Sequence, residues 1–509
     1  MPDPSLLRPE ADASEAGRQL RVVEDPALQL VDTDLTCGDS KGEGDLMMRS
    51  RRLVVLVAMC VLVAASCSRS DTKTTASSGS GGSSSASSAS SSSGPDCTKE
   101  APKATEIGVT ADAITVEVMA DVGSSLAPGL FQGNLDGVTG FAKYINAHGG
   151  IACRQLVVKT WDTKLDSNES KNGQIDACQN ALAMVGSNAL FSPDNSTLVS
   201  CKDLAGQATG LPDLAALTAD TNQACNPTTY TIQATVENCA HPTGVREIDT
   251  SIGGTTYLLK QEPNLHGAFL VPGDLPSTVQ ASMSQVASQQ NQGIKLDPIV
   301  KVSGFQEQSG YTPIVQQLKA NGANYVYDGS NDTAMVRVRK EAKAQGVDTV
   351  KYWSCSLACY TSAFLSSGGA DVEGTYASMQ FLPFEDKGTN DMLDAFLDTV
   401  EKPDSWGAQS WQAAATFKEL IDRIVDKSGV NGITRASLLD ALKNAGEVDA
   451  GGWMGKKSLR GVSSCVVIMQ VKDGKWTRVF PEQKGTMDCN PANLTKVSLD
   501  PAAEAAKLG

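Results

Sequence analysis

Tyr144-Ile145-Asn146-Ala147-His148-Gly149-Gly150-Ile151, followed closely by Arg154-Gln155-Leu156, holds a helix end, a glycine reversal and the start of a strand. Upstream, Leu135, Val138, Phe141, Ala142 and Ile145 recur at intervals of three and four, the spacing of one helix face. Gly149-Gly150 stops that helix, and Leu156 to Trp161 reads as a strand. Before the helix, Ile114 to Ala120 is an apolar run suited to a buried strand, joined to it by the loop Asp121 to Gly129. Strand, helix and strand in this order form a parallel unit, so an α/β fold with largely parallel sheets is expected.

The alternation continues outward. A second helix is expected to carry Ile175, Cys178, Leu182 and Val185 on one face, with a short third strand at Ala189 to Phe191. The next helix should begin near Asn195 or Ser196, because Asp194, Asn195 and Ser196 are all good capping residues. After His241 the pattern restarts: strands at Gly267 to Val271 and Ile299 to Val302 flank a helix from about Ser277 to Gln290. Thr312-Pro313 opens a helix that Gly322 ends, and Tyr325 to Tyr327, Asp332 to Gln345 and Lys351 to Ser354 read as strand, helix and strand. Two such units in succession imply two similar lobes. The last third predicts helices at Asp391 to Val400, Ser410 to Asp426 and Ser437 to Asn444, the middle one burying Ala414, Phe417, Ile421 and Ile424. A hairpin then pairs Val466 to Val471 with Trp476 to Phe480 across Asp473-Gly474.

The chain has 509 residues, a formal charge of -15 and 41% hydrophobic residues. Acidity without a basic cluster argues against nucleic acid as a partner. Near the start, Arg49-Ser50-Arg51-Arg52 precedes an apolar run from Leu53 to Ala65 and then Ser66-Cys67. That run is ~13 residues, short of the ~20 that span a bilayer as a helix, and small residues follow it where a signal peptidase needs them. Residues 47–67 therefore read as a lipoprotein signal, with Cys67 as the lipidated first residue of the mature protein at the cell membrane. The alternative is a plain secretory signal with Cys67 unmodified. Met47 and Met48 directly before Arg49 each offer a conventional start, so residues 1–46 are expected to lie outside the working protein. Residues 68–95 are dominated by Ser, Gly, Ala and Thr and should act as a tether.

Of the 13 cysteines, Cys37 and Cys60 precede the expected cleavage point and Cys67 would carry lipid. The remaining ten are an even number in an exported body, which predicts disulfides. Short loops favour Cys225 with Cys239, Cys355 with Cys359 and Cys465 with Cys489, leaving Cys97, Cys153, Cys178 and Cys201; Cys178 on a helix face is alternatively a buried free thiol.

The order helix, Ile-Asn-x-x-Gly-Gly-Ile, Arg154-Gln155-Leu156 and strand over Gly133 to Asp162 resembles the solute-binding proteins of branched-chain amino-acid ABC transporters, the type I periplasmic-binding fold. The resemblance extends over most of Thr105 to Pro481. It implies two Rossmann-like α/β lobes with parallel sheets joined by a hinge, residues 105–240 and 381–460 forming one, 241–380 and 461–490 the other, and 491–509 a tail. It further implies an extracytoplasmic protein that closes on a small polar ligand such as an amino acid and delivers it to ABC permease subunits. The alternative reading is an extracellular ligand sensor on the same scaffold. Family position points to the Ser124 to Gly129 loop with Ser125, to Ser196, and to Ala216 to Thr218 in the first lobe. In the second it points to Asp274 and to Asp328 to Asp332, Asn331 included. A hydroxyl of Ser196 or Thr218 would hold a carboxylate, and Asp328 or Asp332 would accept from an ammonium group. Ser196 and Asp332 read alternatively as helix caps, Asp274 as a turn residue, and Trp353 as either a cleft wall or a buried strand end. Asp274-Leu275-Pro276 stands where an aromatic residue often follows the strand in this family.

Enzyme readings find little support. His148, His241 and His266 are widely spaced and form no metal-binding pair, and neither a Gly-x-Ser-x-Gly elbow nor a Gly-Lys-Ser/Thr phosphate loop occurs. No cofactor, metal or catalytic residue is expected. The leader generates one test: Cys67→Ser should shift the protein out of the membrane fraction and abolish incorporation of labelled fatty acid, whereas continued labelling would refute attachment at Cys67.

Overall fold

The computed structural model describes residues 100–125, 127–233, 236–237, 239 and 243–509. Residues 1–46, the leader, the tether, Cys97 and His241 lie outside these. The first sheet is built from β1 (Ala113–Ala120), α1 (Gln132–Ala147), β2 (Gln155–Asp162), α2 (Ser167–Asn180), β3 (Ala183–Val185), α3 (Ser196–Ser200), β4 (Asp213–Leu217), α4 (Thr221–Ala224) and β5 (Thr229–Gln233). Its five strands are all parallel in the order β2-β1-β3-β4-β5. β1 is an interior strand and almost wholly buried, as its apolar run predicts. The reversal after α1 needs its glycines. Gly149 and Gly150 both take positive φ, and a Cβ on Gly150 would stand 2.1 Å from the Arg154 carbonyl oxygen.

Two expectations in this half are corrected. α2 ends at Asn180, so Leu182 and Val185 are not on its face; Val185 belongs to β3 and Leu182 directly precedes it. The buried face of α2 is Ser170, Gly173, Gln174 and Ala177, while Ile175 is 38% exposed. Small residues face the sheet because the helix approaches closely, with Gly173 under Trp161 and Met119. Ala189 to Phe191 is not a strand: only Asn188 bridges to Ala120, and the Phe191 carbonyl accepts the Ser170 hydroxyl.

The chain leaves this half through β6 (Val236–Glu237) and β7 (Arg246–Ser251) and continues with α5 (Gly253–Gln261), β8 (His266–Pro272), α6 (Pro276–Asn291), β9 (Lys295–Val302), α7 (Thr312–Ala320), β10 (Tyr325–Asp328), α8 (Asp332–Ala344), β11 (Tyr352–Cys355), α9 (Ser362–Gly368) and β12 (Tyr376–Met379). β8 to β12 are parallel, whereas β6 and β7 pair antiparallel in a small separate sheet. It then returns with α10 (Asp391–Thr399), α11 (Ser405–Ser428) and α12 (Arg435–Lys443), followed by the two-stranded β13 (Glu447–Val448) and β14 (Lys457–Ser458). A third passage leads to the antiparallel hairpin β15 (Val467–Lys472) and β16 (Lys475–Phe480), which completes the second sheet in the order β16-β15-β12-β11-β10-β8-β9. Residues 491–509 hold β17 (Leu494–Leu499), antiparallel to β7, and α13 (Pro501–Ala506), packed on α6.

The returning helices pack on the first sheet, and α11 lies directly against α1. Gly133, Gly137 and Gly140 recur on the α1 face at that contact. A Cβ on Gly137 would stand 2.3 Å from the Gly407 carbonyl oxygen, and one on Gly140 2.7 Å from Val400. Asn134 beside them donates to the Trp406 carbonyl at 3.2 Å and to Ser410 Oγ at 2.7 Å, and Ser410 donates to the Gly186 carbonyl at 2.7 Å. Two buried arginines fix the same return. Arg154 donates to the carbonyls of Lys103, Thr110, Ala152 and Val430, and Arg435 to those of Cys178, Ala181 and Lys202. Lys457 and Arg460 bond backbone carbonyls of β5 and the turn before it.

Disulfides join Cys225 with Cys239, Cys355 with Cys359, Cys465 with Cys489, and Cys178 with Cys201, so Cys178 is not a free thiol. Cys153 is also disulfide-bonded. Among the described residues no helix is long and apolar enough to cross a membrane.

The glycine stripe predicts an inverted substitution effect. Alanine for glycine at an unhindered helical site stabilises by about 0.8–1 kcal/mol. At Gly137 the methyl meets backbone, and overpacking of about 1–3 kcal/mol should outweigh that gain. Gly137→Ala should therefore lower stability by roughly 1–2 kcal/mol in denaturant unfolding; a stabilised variant would refute the close contact.

Candidate functional site

The carboxyl ends of parallel strands from both sheets face one cleft of about 1030 Å³. Loops following β4, β8, β10 and β11 line it, together with the start of α1 and the first turn of α11. Strand ends are where an open α/β sheet offers loops and helix N-termini to a ligand.

The loop before α1 is positioned by two carboxylates. Asp162 Oδ1 accepts the N–H groups of Val122 and Gly123 at 3.0 and 2.9 Å. Buried Asp121 accepts from the Thr163 hydroxyl and from the N–H groups of Leu165 and Leu190. The loop then presents Ala127 to Phe131 to the cleft. Phe131 meets Trp406 edge to face with ring centroids 5.0 Å apart, so the two rings form one aromatic wall.

The expected site residues divide. Thr218, Asp274, Asn331 and Asp332 line the cleft. Thr218 is 8% exposed and its hydroxyl has no partner among the described residues. Asp274 Oδ2 accepts the Gly304 N–H at 3.1 Å. Asn331 is the cap of α8, accepting from the Ala334 N–H at 2.9 Å, so Asp332 is relieved of that role and instead accepts the Thr361 hydroxyl at 2.9 Å.

Ser125, Ser196, Ala216 and Asp328 stand apart from the lining. Ser125 is exposed, although its loop contributes to the wall. Ser196 donates to Asp194 at 2.6 Å on the surface, and Asp194 pairs with Lys171. Ala216 is fully buried within β4, its N–H donating to the Ser187 carbonyl at 2.9 Å. Asp328 is fully buried beneath the cleft, where burial pushes its carboxyl up to about 8. It is therefore mostly uncharged at neutral pH and unsuited to hold an ammonium group as a carboxylate. Trp353 is buried, its indole N–H donating to the Val350 carbonyl at 3.1 Å. Asp328 lies near Cys355 and Cys359, the one grouping of metal-ligand type among the described residues, but both sulfurs are consumed in their disulfide.

Three residues at the first turn of α11 escaped the sequence reading, which began that helix at Ser410. Asp404 caps the helix through the Gly407 N–H at 2.7 Å, Trp406 joins the aromatic wall, and Gln409 lies in the cleft. Gln409 is 1% exposed, and neither its amide nitrogen nor its oxygen has a partner among the described residues. A capping Asp404 five residues before Gln409 was the available signal.

A family model described as periplasmic binding protein matches residues 113–475. No curated protein matches the sequence. Among solved structures, a leucine-binding protein from Thermotoga maritima shares 11% identity at a TM-score of 0.54, over 75% of this chain and 99% of its own. A fatty acid ABC transporter substrate-binding protein from Thermomonospora curvata shares 14% at 0.54, over 76% and 95%. An ABC transporter solute-binding protein from Rhodopseudomonas palustris in complex with benzoate shares 13% at 0.54, over 72% and 95%. At such identities the likeness is one of fold. The family match over residues 113–475, on two α/β halves that share one cleft, makes this chain a member of the periplasmic binding protein family.

Proposed function

We propose that the protein is the extracytoplasmic solute-binding component of an ABC importer, anchored at the cell membrane through lipid on Cys67. It captures a small polar, amino-acid-like ligand between its lobes, closes about the crossing strands and presents the ligand to permease subunits. Binding and closure are the whole mechanism, with no chemistry on the ligand. The observation that carries this reading is the pair of buried, unpartnered groups in the cleft, Thr218 Oγ1 and the Gln409 amide. A buried polar group without a partner costs free energy, so its presence at a cavity wall suits a group that a ligand satisfies. Leucine, fatty acid and benzoate, named for the three structural relatives, all carry a carboxylate. Thr218 and Gln409 can both donate to such a group.

Mass spectrometry of small molecules co-purifying with the protein supplies the ligand for the test. Thr218→Val and Gln409→Met should each weaken its binding by a few-fold to about a hundredfold, the range of one hydrogen bond to a neutral or charged group. Stability without ligand should hold or rise, by up to about 1 kcal/mol, because each change removes an unsatisfied buried group. Unaltered calorimetric affinity in both variants would place the ligand elsewhere.

A further inference from the structure

The two halves of the molecule hydrogen-bond to each other directly at Leu190 and at Leu357, away from the passages that join them. Ser277, in the first turn of α6 on the second half, donates its hydroxyl to the Leu190 carbonyl of the first half at 2.8 Å. Ser405 opens α11 on the first half and donates to the Leu357 carbonyl of the second half at 3.2 Å. Both serines are buried, and neither belongs to the lining of the cleft, whereas Leu190 and Leu357 do.

Neither hydroxyl serves its own helix. In the first turn of α6 it is Thr278 that donates back to the Pro272 and Leu275 carbonyls, and α11 is already capped by Asp404. Ser282, Ser284 and Ser288 further along α6 each donate to a carbonyl of their own helix, the usual outlet for a helical serine. Ser277 and Ser405 reach across instead.

Both acceptors are held firmly. The Leu190 N–H donates to buried Asp121 at 2.9 Å, so its carbonyl is fixed on the first half. Leu357 lies in the loop that the Cys355–Cys359 disulfide closes, where the Ser356 N–H donates to the Asp328 carbonyl at 2.9 Å and the Tyr360 N–H to the Leu357 carbonyl itself at 2.9 Å. That disulfide spans a separation of 4 residues, against 23 for Cys178–Cys201 and 24 for Cys465–Cys489. Closing so short a loop restricts the unfolded chain less, so its effect is mainly local and fixes the carbonyl that Ser405 meets.

We propose that Ser277 and Ser405 are closure latches, positioning residues that hold the two halves together before a ligand arrives, so that the ligand-free protein is mainly closed and opens to admit its solute. Opening exchanges each bond for water. Each latch therefore shifts the closed-to-open ratio by about twofold to tenfold, and the two together by roughly fivefold to a hundredfold. Bonds of this strength favour closure and still let the cleft open for exchange. The inference goes beyond the binding reading above and rests only on its hinge closure.

Dipolar spectroscopy between spin labels at exposed Asn172 on α2 and exposed Gln290 on α6 reads the separation of the halves in protein stripped of small molecules. The native chain should show mainly one shorter separation, and Ser277→Ala combined with Ser405→Ala should move much of the population to a longer one. Ser284→Ala is the control, because this buried hydroxyl donates to the Ala281 carbonyl within α6 and its loss should leave the separation unchanged. Far-UV circular dichroism should be the same in all these chains. If the double variant loses that signal, the single variants carry the test, each shifting the ratio by about twofold to tenfold. The proposal is overturned if the folded variants keep the native distribution, or if Ser284→Ala opens the protein as far as they do. Such a result would leave solute binding through Thr218 and Gln409 standing, since no ligand enters the measurement.

Discussion

The close approach of α1 and α11 governs the rest of the molecule. The chain leaves the first sheet at residue 233 and completes most of the second before it returns, so the two helices are far apart in sequence. At Gly137 they meet backbone to backbone, facing Gly407, while Gly133 makes room for the Asp404 side chain and Gly140 for those of Val400 and Trp411. Glycines inside a helix normally weaken it, which is accepted here because the alternative is a clash with α11. Asn134 and Ser410 then fix the register through buried hydrogen bonds that reach Gly186 at the end of β3. Register is what matters for the site. It carries Asp404, Trp406 and Gln409 to the mouth of the first sheet beside Phe131 and Thr218.

Buried polar groups serve opposite purposes in different places. Arg154, and Arg435 through its two terminal nitrogens, donate to backbone carbonyls and so lock the returning segment to the first sheet. Such buried networks specify one arrangement. Thr218 and Gln409 have nothing to bond among the described residues, and they lie at the cleft. The last residues add a further restraint, because β17 pairs along the crossing strand β7 and α13 packs on α6. Cys465–Cys489 links the third passage to the segment before β17.

Much of this was legible from local patterns. The strands β1, β2, β8 and β10 and the helices α1, α6 and α8 follow from apolar periodicity and caps, as does the hairpin turned at Asp473-Gly474. α2 was misread because its sheet-facing side is made of Ser170, Gly173, Gln174 and Ala177, small or polar residues with no apolar signature. Within the site, Thr218, Asp274, Asn331 and Asp332 were within reach because each follows a strand end. Asp404, Trp406 and Gln409 were not, since their position depends on a helix contact made over more than 250 residues of sequence. Asp328 is fully buried and does not line the cleft, a placement that sequence does not display.

A crystal structure of the protein with its co-purified small molecule tests the central claim most directly. The account predicts density in the cleft that touches Thr218 or Gln409 on one side and Asp332 on the other, with the two lobes closed over it. Density bound to a single lobe, or outside the cleft, would contradict it.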